Sequence, residues 1–151
     1  MSELSKWCEA SLTDRICRMN QLFNLPTNAL LTDQGNERLS TFENVMHKEL
    51  TELDDVRRMK PGLDRFVAMA DLLGDIIVYT MSEAERWGIP VIEVVHMIMD
   101  SQDTKLVDGK PVMSPDGSKF DKGPNYVPPE AMIRQLLEPF LRISNEQNTR
   151  S

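Results

Sequence analysis

The segment 71–79 constrains this chain most, because it places two carboxylates inside an otherwise apolar run. Its sequence is Asp-Leu-Leu-Gly-Asp-Ile-Ile-Val-Tyr. The run forms the middle of a predicted helix over 63–87 that is apolar nearly all the way round, a pattern typical of a helix enclosed by other helices. Burying an unpaired carboxylate costs several kcal/mol, so Asp75 requires a hydrogen bond, a proton or a cation. We therefore expect other groups to face Asp75.

The composition and charge of the chain exclude several classes of protein. Its 151 residues are 40% hydrophobic and 27% charged, which fits one folded domain with a buried core. This is not the composition of a disordered protein. The net charge of -7 argues against non-specific binding to nucleic acid or to an anionic membrane. Two cysteines are too few for a disulfide framework, and the sequence shows neither a signal peptide nor an apolar run of membrane-spanning length. We expect a reduced, cytoplasmic protein.

Hydrophobic periodicity predicts an all-α fold, a bundle of four to five helices. The predicted helices cover 11–23, 36–59, 63–87, 90–101 and 129–143. Two Asp-Gly pairs and several prolines between 103 and 129 predict a Pro/Gly-rich loop or a small hairpin before the last helix. We expect a single domain over 1–151, with an N-terminal extension at 1–10 and a frayed tail at 145–151.

Four acidic residues fall on two helix faces that can meet. Glu49 and Glu52 are three positions apart on the second predicted helix, so they share a face. Asp71 and Asp75 are four apart on the third and also share a face. If these helices pack antiparallel across the turn at 60–62, the four carboxylates converge. Their repulsion then requires protons or divalent cations, and a set of oxygen ligands favours Mg²⁺ or Mn²⁺ over zinc.

A structural interpretation of the same acids stays open. In it, both glutamates are solvated, as most charged residues are. Asp71 caps a helix or pairs with Arg65 or Arg86, and only Asp75 is buried. The apolar run around Asp75 is the feature that favours a functional site over this alternative.

Several motifs follow one another in a characteristic order. They are Glu49-x-x-Glu52, Asp75, Trp87-Gly88-Ile89-Pro90, the segment 100–106, Asp108-Gly109-Lys110-Pro111 and Lys122-Gly123-Pro124-Asn125-Tyr126. In this order and spacing the chain resembles the all-α nucleoside triphosphate pyrophosphatases, and within them the MazG-like and phosphoribosyl-ATP pyrophosphohydrolase-like proteins. The resemblance covers about 15–129.

The resemblance implies a Mg²⁺ site, with Mn²⁺ as a possible substitute. In the family, an E-x-x-E on one helix and an E-x-x-D on the next hold the metal against the phosphates. By position, Glu49, Glu52 and Asp75 are the implied catalytic acids and metal ligands. The Glu of the second motif falls on Leu72, which departs from the family pattern. Either Asp71 replaces the missing ligand or the site is weakened or inactive.

The resemblance also implies contacts to the substrate. An amide and a lysine that follow the fourth helix in the family correspond to Gln102 and Lys105, and a lysine can bind phosphate as a point charge. Lys119 and Lys122 are further candidates, or else they belong to a solvated loop of mixed charge. Asn20 on the first helix is a candidate for contact with the base.

Three functions stand as hypotheses. The first is Mg²⁺-dependent hydrolysis of a nucleoside triphosphate between its α and β phosphates, by a homodimer or a dimer of dimers, since related bundles pair their helices. The second is a non-catalytic homologue that binds nucleotide or metal, which the departure at Leu72 suggests. The third is a helical protein-interaction module whose acids are solvated. None of the three has nucleic acid or a membrane as a partner.

Overall fold

The predicted all-α fold is confirmed. The computed structural model describes residues 11–27, 31 and 34–148, and side chains as far as residue 142. The helices in this part of the chain are α1 (Leu12–Leu22), α2 (Gly35–Arg58), α3 (Leu63–Trp87), α4 (Val91–Asp103) and α5 (Glu130–Asn148). None of them is both long enough and apolar enough to cross a membrane. The predicted N-terminal extension at 1–10 lies outside the described residues.

The chain divides into two compact units, Met1–Ile89 and Pro90–Ser151. In the first unit α3 packs against α2 and α1, and in the second α4 packs against α5. The organisation as a single domain stays a prediction. The four predicted acids and Asn20 belong to the first unit, whereas Gln102 and the three candidate lysines belong to the second.

The helices of the first unit begin and end at residues suited to those positions. Ser11 and Asp14 form a capping box at the start of α1, in which the Asp14 amide donates to Ser11 Oγ over 3.1 Å and the Ser11 amide donates to the Asp14 carboxylate over 3.2 Å. The short turn at 59–62 reverses the chain, so α2 and α3 are antiparallel neighbours. Gly88 ends α3 with a φ of 70°, the left-handed conformation that glycine adopts without strain.

The prediction that α3 is enclosed on all sides by other helices is wrong for the described residues. Its buried apolar side chains are Leu72, Met81 and Ala84. Other parts of its surface remain apolar and exposed, at Leu63, Phe66, Val67, Leu73 and Ile77. The physical reason is that α1 and α2 cover only part of the circumference of α3, and an apolar sequence does not specify what covers it.

In the second unit, the buried Ser101 fixes the end of the loop to α4. Ser101 Oγ donates to the Val127 carbonyl over 2.7 Å, and the Val127 amide donates to Thr104 Oγ1 over 2.9 Å. Both Asp-Gly pairs lie at turns closed by isolated antiparallel bridges, Val107 with Lys110 and Met113 with Phe120. These bridges hold the loop together without forming a strand in the described residues.

The last helix is longer than its sequence pattern predicts. α5 continues to Asn148, whereas the prediction ended the helix at 143 and placed a frayed tail from 145. No Gly or Pro follows 143 to end the helix, and Glu and Gln are good helix formers. Residues 149–151 of the predicted tail lie outside the described residues.

Candidate functional site

The four predicted acids, Glu49, Glu52, Asp71 and Asp75, are called the acid cluster. Glu49 is its buried member. It is only 5% exposed, and its carboxylate has no hydrogen bond or ion pair within the described residues. Burial raises the pKa of Glu49, and the negative charges of Glu52, Asp75 and Asp71 raise it further, while Lys48 opposes them. The other three predicted acids therefore lie within electrostatic reach of Glu49.

The other three acids differ in exposure. Asp75 is half-buried, whereas Glu52 and Asp71 are exposed. Asp71 has no hydrogen bond or ion pair among the described residues, so its pairing with an arginine, one part of the structural interpretation, is not observed. The other part, that only Asp75 is buried, is wrong because Glu49 is the more buried of the two.

The donor set of this cluster is suited to a hard cation. In their present conformations, no three acidic, His or Cys side chains of the described residues stand close enough together to hold a metal ion. Mg²⁺ is commonly bound through one or two carboxylates and several waters, so it does not need a complete protein cage. The oxygens of Glu49 retain access to solvent, because every fully buried side-chain nitrogen or oxygen in the described part has a hydrogen-bond partner.

Leu72 occupies the position at which the resemblance implies another glutamate. It is 2% exposed and belongs to the core of the first unit. An apolar side chain packed in this way offers no ligand. The acids available next to Glu49 are therefore Glu52, Asp71 and Asp75.

A cavity of about 550 Å³ opens beside Asp75. Its size falls in the range of about 300–1,000 Å³ that is usual for small-molecule sites. The α3 side of the cavity consists of residues three or four positions apart, which share one helix face. The lining from the rest of the first unit is mostly apolar and includes Met19, Phe23, Phe42 and Val45. A largely apolar cavity with a carboxylate cluster beside it suits a ligand with a flat apolar part and a charged part.

A partly buried ion pair also lines this cavity. Arg38 Nε donates to both carboxylate oxygens of Glu83, over 2.8 and 2.9 Å, and Arg38 Nη2 donates to Oε2. Trp87 Nε1 donates to Oε1 over 2.7 Å. Burial opposes ionisation of Glu83, but the hydrogen bonds from Arg38 and Trp87 and the charges of Arg38 and Arg86 outweigh it, so the pKa of Glu83 is lowered. Glu83 is therefore held as a carboxylate.

Sequence reasoning missed the pair of Arg38 and Glu83. A signal was present on α3, because Glu83 lies two helical turns after Asp75 and shares its face. Its partner on α2 could be found only from the register of the two helices.

Tyr79 lies one turn after Asp75 and lines the same cavity. Burial raises the pKa of Tyr79, and the charges of Glu49, Asp75 and Glu52 raise it further. The phenol is therefore protonated at neutral pH and can donate a hydrogen bond near the acid cluster.

Asn20 is fully buried in the contact of α1 with α3. Its Nδ2 donates to the Ser82 carbonyl over 3.3 Å, and Ser82 Oγ donates to Asn20 Oδ1 over 2.6 Å. This reciprocal contact accounts for the burial of the amide. Contact between Asn20 and a base stays a prediction.

In the second unit, three of the four candidate substrate residues are brought together. Gln102 and Lys105 line one cavity of about 210 Å³. The Nζ atoms of Lys105 and Lys122 lie 5.8 and 4.8 Å from the ring centroid of Tyr126, so both ammonium groups make cation–π contacts with one ring. Lys119 is exposed on the neighbouring turn, where its amide and carbonyl bond to Ser114.

Comparison of the sequence with models of known protein families and with curated proteins gives no match. The functional interpretation depends on the motifs in the sequence and on the geometry of the acids and the cavity.

Proposed function

We propose that the first unit binds Mg²⁺ at the acid cluster and hydrolyses a nucleoside triphosphate between its α and β phosphates, releasing a nucleoside monophosphate and pyrophosphate. The observation that carries this proposal is the state of Glu49, a buried carboxylate without a hydrogen bond or ion pair. Removing most of the water around such a group favours its neutralisation by a proton or a cation. Three further acids around it favour a cation over a single proton.

The cavity supports the nucleotide part of the proposal. Asp75 belongs to both the acid cluster and the cavity lining, so a ligand can place a phosphate at the acids and an aromatic base between apolar side chains. Phe23 and Phe42 provide flat apolar surface for the base. Inorganic polyphosphates have no group that would fill this space.

Each acid has a distinct role in the proposed reaction. Glu49 and Asp75 would hold the cation, because they lie deepest, and Asp71 would complete the set in place of the glutamate that Leu72 replaces. Bound Mg²⁺ supplies charge neutralisation and lowers the pKa of a coordinated water. Glu52 is exposed and accepts the proton of the attacking water. The monophosphate and pyrophosphate then leave.

In the second unit, Lys105 and Lys122 are proposed phosphate ligands. Their two ammonium groups gather at one tyrosine ring although like charges repel. An anion between them would relieve this repulsion. Gln102, which lines a cavity with Lys105, provides an amide for the same ligand.

The proposal includes a homodimer or a dimer of dimers in the cytoplasm. The exposed apolar side chains of α3 support it, because such surfaces are usually covered in the working form of a protein. Burial and the neighbouring Glu85 raise the pKa of Cys17 to about 11, and such an unreactive thiol suits a reduced protein.

A second candidate function is binding of nucleotide or metal without hydrolysis. The core position of Leu72 favours it, because the chain has one carboxylate fewer at that place than the resemblance implies. The exposed apolar surface of α3 would equally suit the third hypothesis, a helical interaction module.

One pair of experiments separates the three functions. The thermal midpoint is measured with EDTA, with Mg²⁺, and with Mg²⁺ plus nucleotide, and pyrophosphate release is measured over a panel of nucleoside triphosphates. An enzyme shifts its midpoint and releases pyrophosphate, whereas a sensor shifts without release. An interaction module responds in neither experiment, and that result would overturn the proposal.

A further inference from the structure

Three residues of α3 line the cavity at regular intervals along the helix axis, and the first of them belongs to the acid cluster. Asp75, Tyr79 and Glu83 follow one another at intervals of one turn and all line the cavity. With a rise of about 1.5 Å per residue, Tyr79 lies about 6 Å and Glu83 about 12 Å from Asp75 along the helix axis. A phosphate at Asp75 therefore places the sugar of a nucleotide near Tyr79 and the outer edge of its base near Glu83.

The end of the cavity at Glu83 presents hydrogen-bond donors. Arg38 uses Nε and Nη2 to hold Glu83, and within the described residues its Nη1 has no hydrogen-bond partner. The Glu83 carboxylate already accepts from Arg38 and Trp87. Ser82 Oγ is committed to Asn20. Arg86 also lines the cavity here and donates through Nε to the Pro26 carbonyl. Both guanidinium groups at this end therefore present N–H donors, and Nη1 of Arg38 is the one that can meet a base.

We infer that Arg38 reads the outer edge of the base and selects an oxygen acceptor there. This inference rests on the proposed function and names its substrate class: nucleotides of guanine, hypoxanthine, uracil or thymine, which carry a carbonyl where adenine and cytosine carry an amino group. An amino group at this place would meet the N–H donors of Arg38, and a donor facing a donor leaves both unpaired. Glu83 acts as a positioning residue, because its carboxylate fixes the plane of the guanidinium.

Inosine and adenosine triphosphates provide the direct test, because they present a carbonyl and an amino group at the same position of an otherwise similar purine. We expect the wild-type protein to have a kcat/KM for inosine triphosphate about tenfold or more above that for adenosine triphosphate, the scale of one good base contact. Equal values, with pyrophosphate released from both, would overturn the inference and leave the proposed function standing.

A double variant tests whether Arg38 causes the preference. Replacing Arg38 alone would leave Glu83 buried without its partner, so Arg38→Gln is combined with Glu83→Gln. We expect this variant to release pyrophosphate from both nucleotides with a ratio near one, because a glutamine amide can either donate or accept. A matched control is Arg57→Gln with Asp54→Asn, which removes an exposed ion pair of the same helix. The control should keep the wild-type ratio, and a double variant that folds and keeps it would contradict the role of Arg38.

Failure of the proposed function gives a different result. If no triphosphate releases pyrophosphate, the same comparison is made by calorimetry, as the affinities of the two intact nucleotides in Mg²⁺. Tighter binding of inosine triphosphate supports the selection by Arg38 even without hydrolysis. Equal affinities, or no binding of either nucleotide, overturn it. If the double variant does not fold, the wild-type ratio alone decides.

Discussion

The pairing of Arg38 with Glu83 and the position of the acid cluster are two results of one helix register. Eleven residues separate Arg38 from Glu49 along α2, and eleven separate Leu72 from Glu83 along α3. Because α2 and α3 run antiparallel, Glu49 is level with Leu72 and within one turn of Asp71 and Asp75. The register that pairs Arg38 with Glu83 therefore also brings Asp71 and Asp75 within electrostatic reach of Glu49.

We expect Glu49→Gln to raise the thermal midpoint in EDTA and to abolish the stabilisation by Mg²⁺. The folded protein raises the pKa of Glu49 above its ordinary value of 4.5, so the folded state binds this proton more tightly than the unfolded state. The stability that the proton provides is present at low pH and is lost as the pH rises through the raised pKa. The advantage of the variant in EDTA should therefore grow from about pH 4.5 towards neutrality, as thermal melts across this range can measure.

Glu43→Gln serves as the control for Glu49, because Glu43 is an exposed glutamate of the same helix. It should change neither the midpoint in EDTA nor the response to Mg²⁺. A Glu49→Gln protein that melts lower than the wild type, by the same amount in EDTA and in Mg²⁺, would show that Glu49 is structural.

Asp71→Ala should weaken Mg²⁺ binding by about tenfold or more, the scale of losing a group that holds or orients a metal. The side chain is exposed, so the substitution should leave the midpoint in EDTA nearly unchanged. Leu72→Glu should not raise the Mg²⁺ affinity above that of the wild type, because position 72 is 2% exposed and a carboxylate there would be buried within the core. Calorimetry with Mg²⁺ on both variants makes the measurement. Unchanged affinity in Asp71→Ala would remove Asp71 from the site.

We expect Glu83→Gln to cost about 1.5–3 kcal/mol of stability at pH 7, the usual value of hydrogen bonds to a charged group. The folded protein lowers the pKa of Glu83 below its ordinary value of 4.5, so the stability it contributes is present above pH 4.5 and is lost as the pH falls through the lowered pKa. Denaturant unfolding at several pH values should therefore show the wild type and the variant converging in acid. A difference that is constant with pH would assign the cost to packing alone.

Lys105→Ala should weaken the binding of a phosphate anion more than it lowers the thermal midpoint. Among the described residues its ammonium group makes one contact, the cation–π contact with Tyr126, which contributes little to stability at such a site. Calorimetry with inorganic pyrophosphate on Lys105→Ala and Lys122→Ala, with the exposed Lys110→Ala as control, measures this effect. Affinities equal to that of the wild type in all three variants would exclude both lysines from phosphate binding.

The local signals in the sequence predicted most helix ends to within two residues. Ser11 caps α1, Gly62 and Gly88 bound α3, and Pro90 precedes α4, and each of these effects depends only on the residue and its neighbours. The end of α5 was missed because its last residues contain no stop signal. Helix ends are thus predictable where a cap or a breaker is present.

The proximity of the other acids to Glu49 was predictable because spacing within a helix fixes which residues share a face. Their relative burial was not, and Glu49 is more deeply buried than Asp75 although its sequence surroundings are more polar. Burial depends on how two helices are rotated and aligned against each other. The pair of Arg38 and Glu83, 45 residues apart, was hidden for the same reason.

The reciprocal contact between Asn20 and Ser82 has a consequence for the width of the cavity. α1 has 11 residues, and Ile16 is its only buried apolar side chain among those described, so packing alone would let this short helix turn or slide. Hydrogen bonds are directional, and two of them at one point permit a single orientation of α1. That orientation keeps Met19 and Phe23 in the wall of the cavity. The amide side chain of Asn20 thus sets the width of the cavity, and with it the thickness of the ring that the cavity can admit.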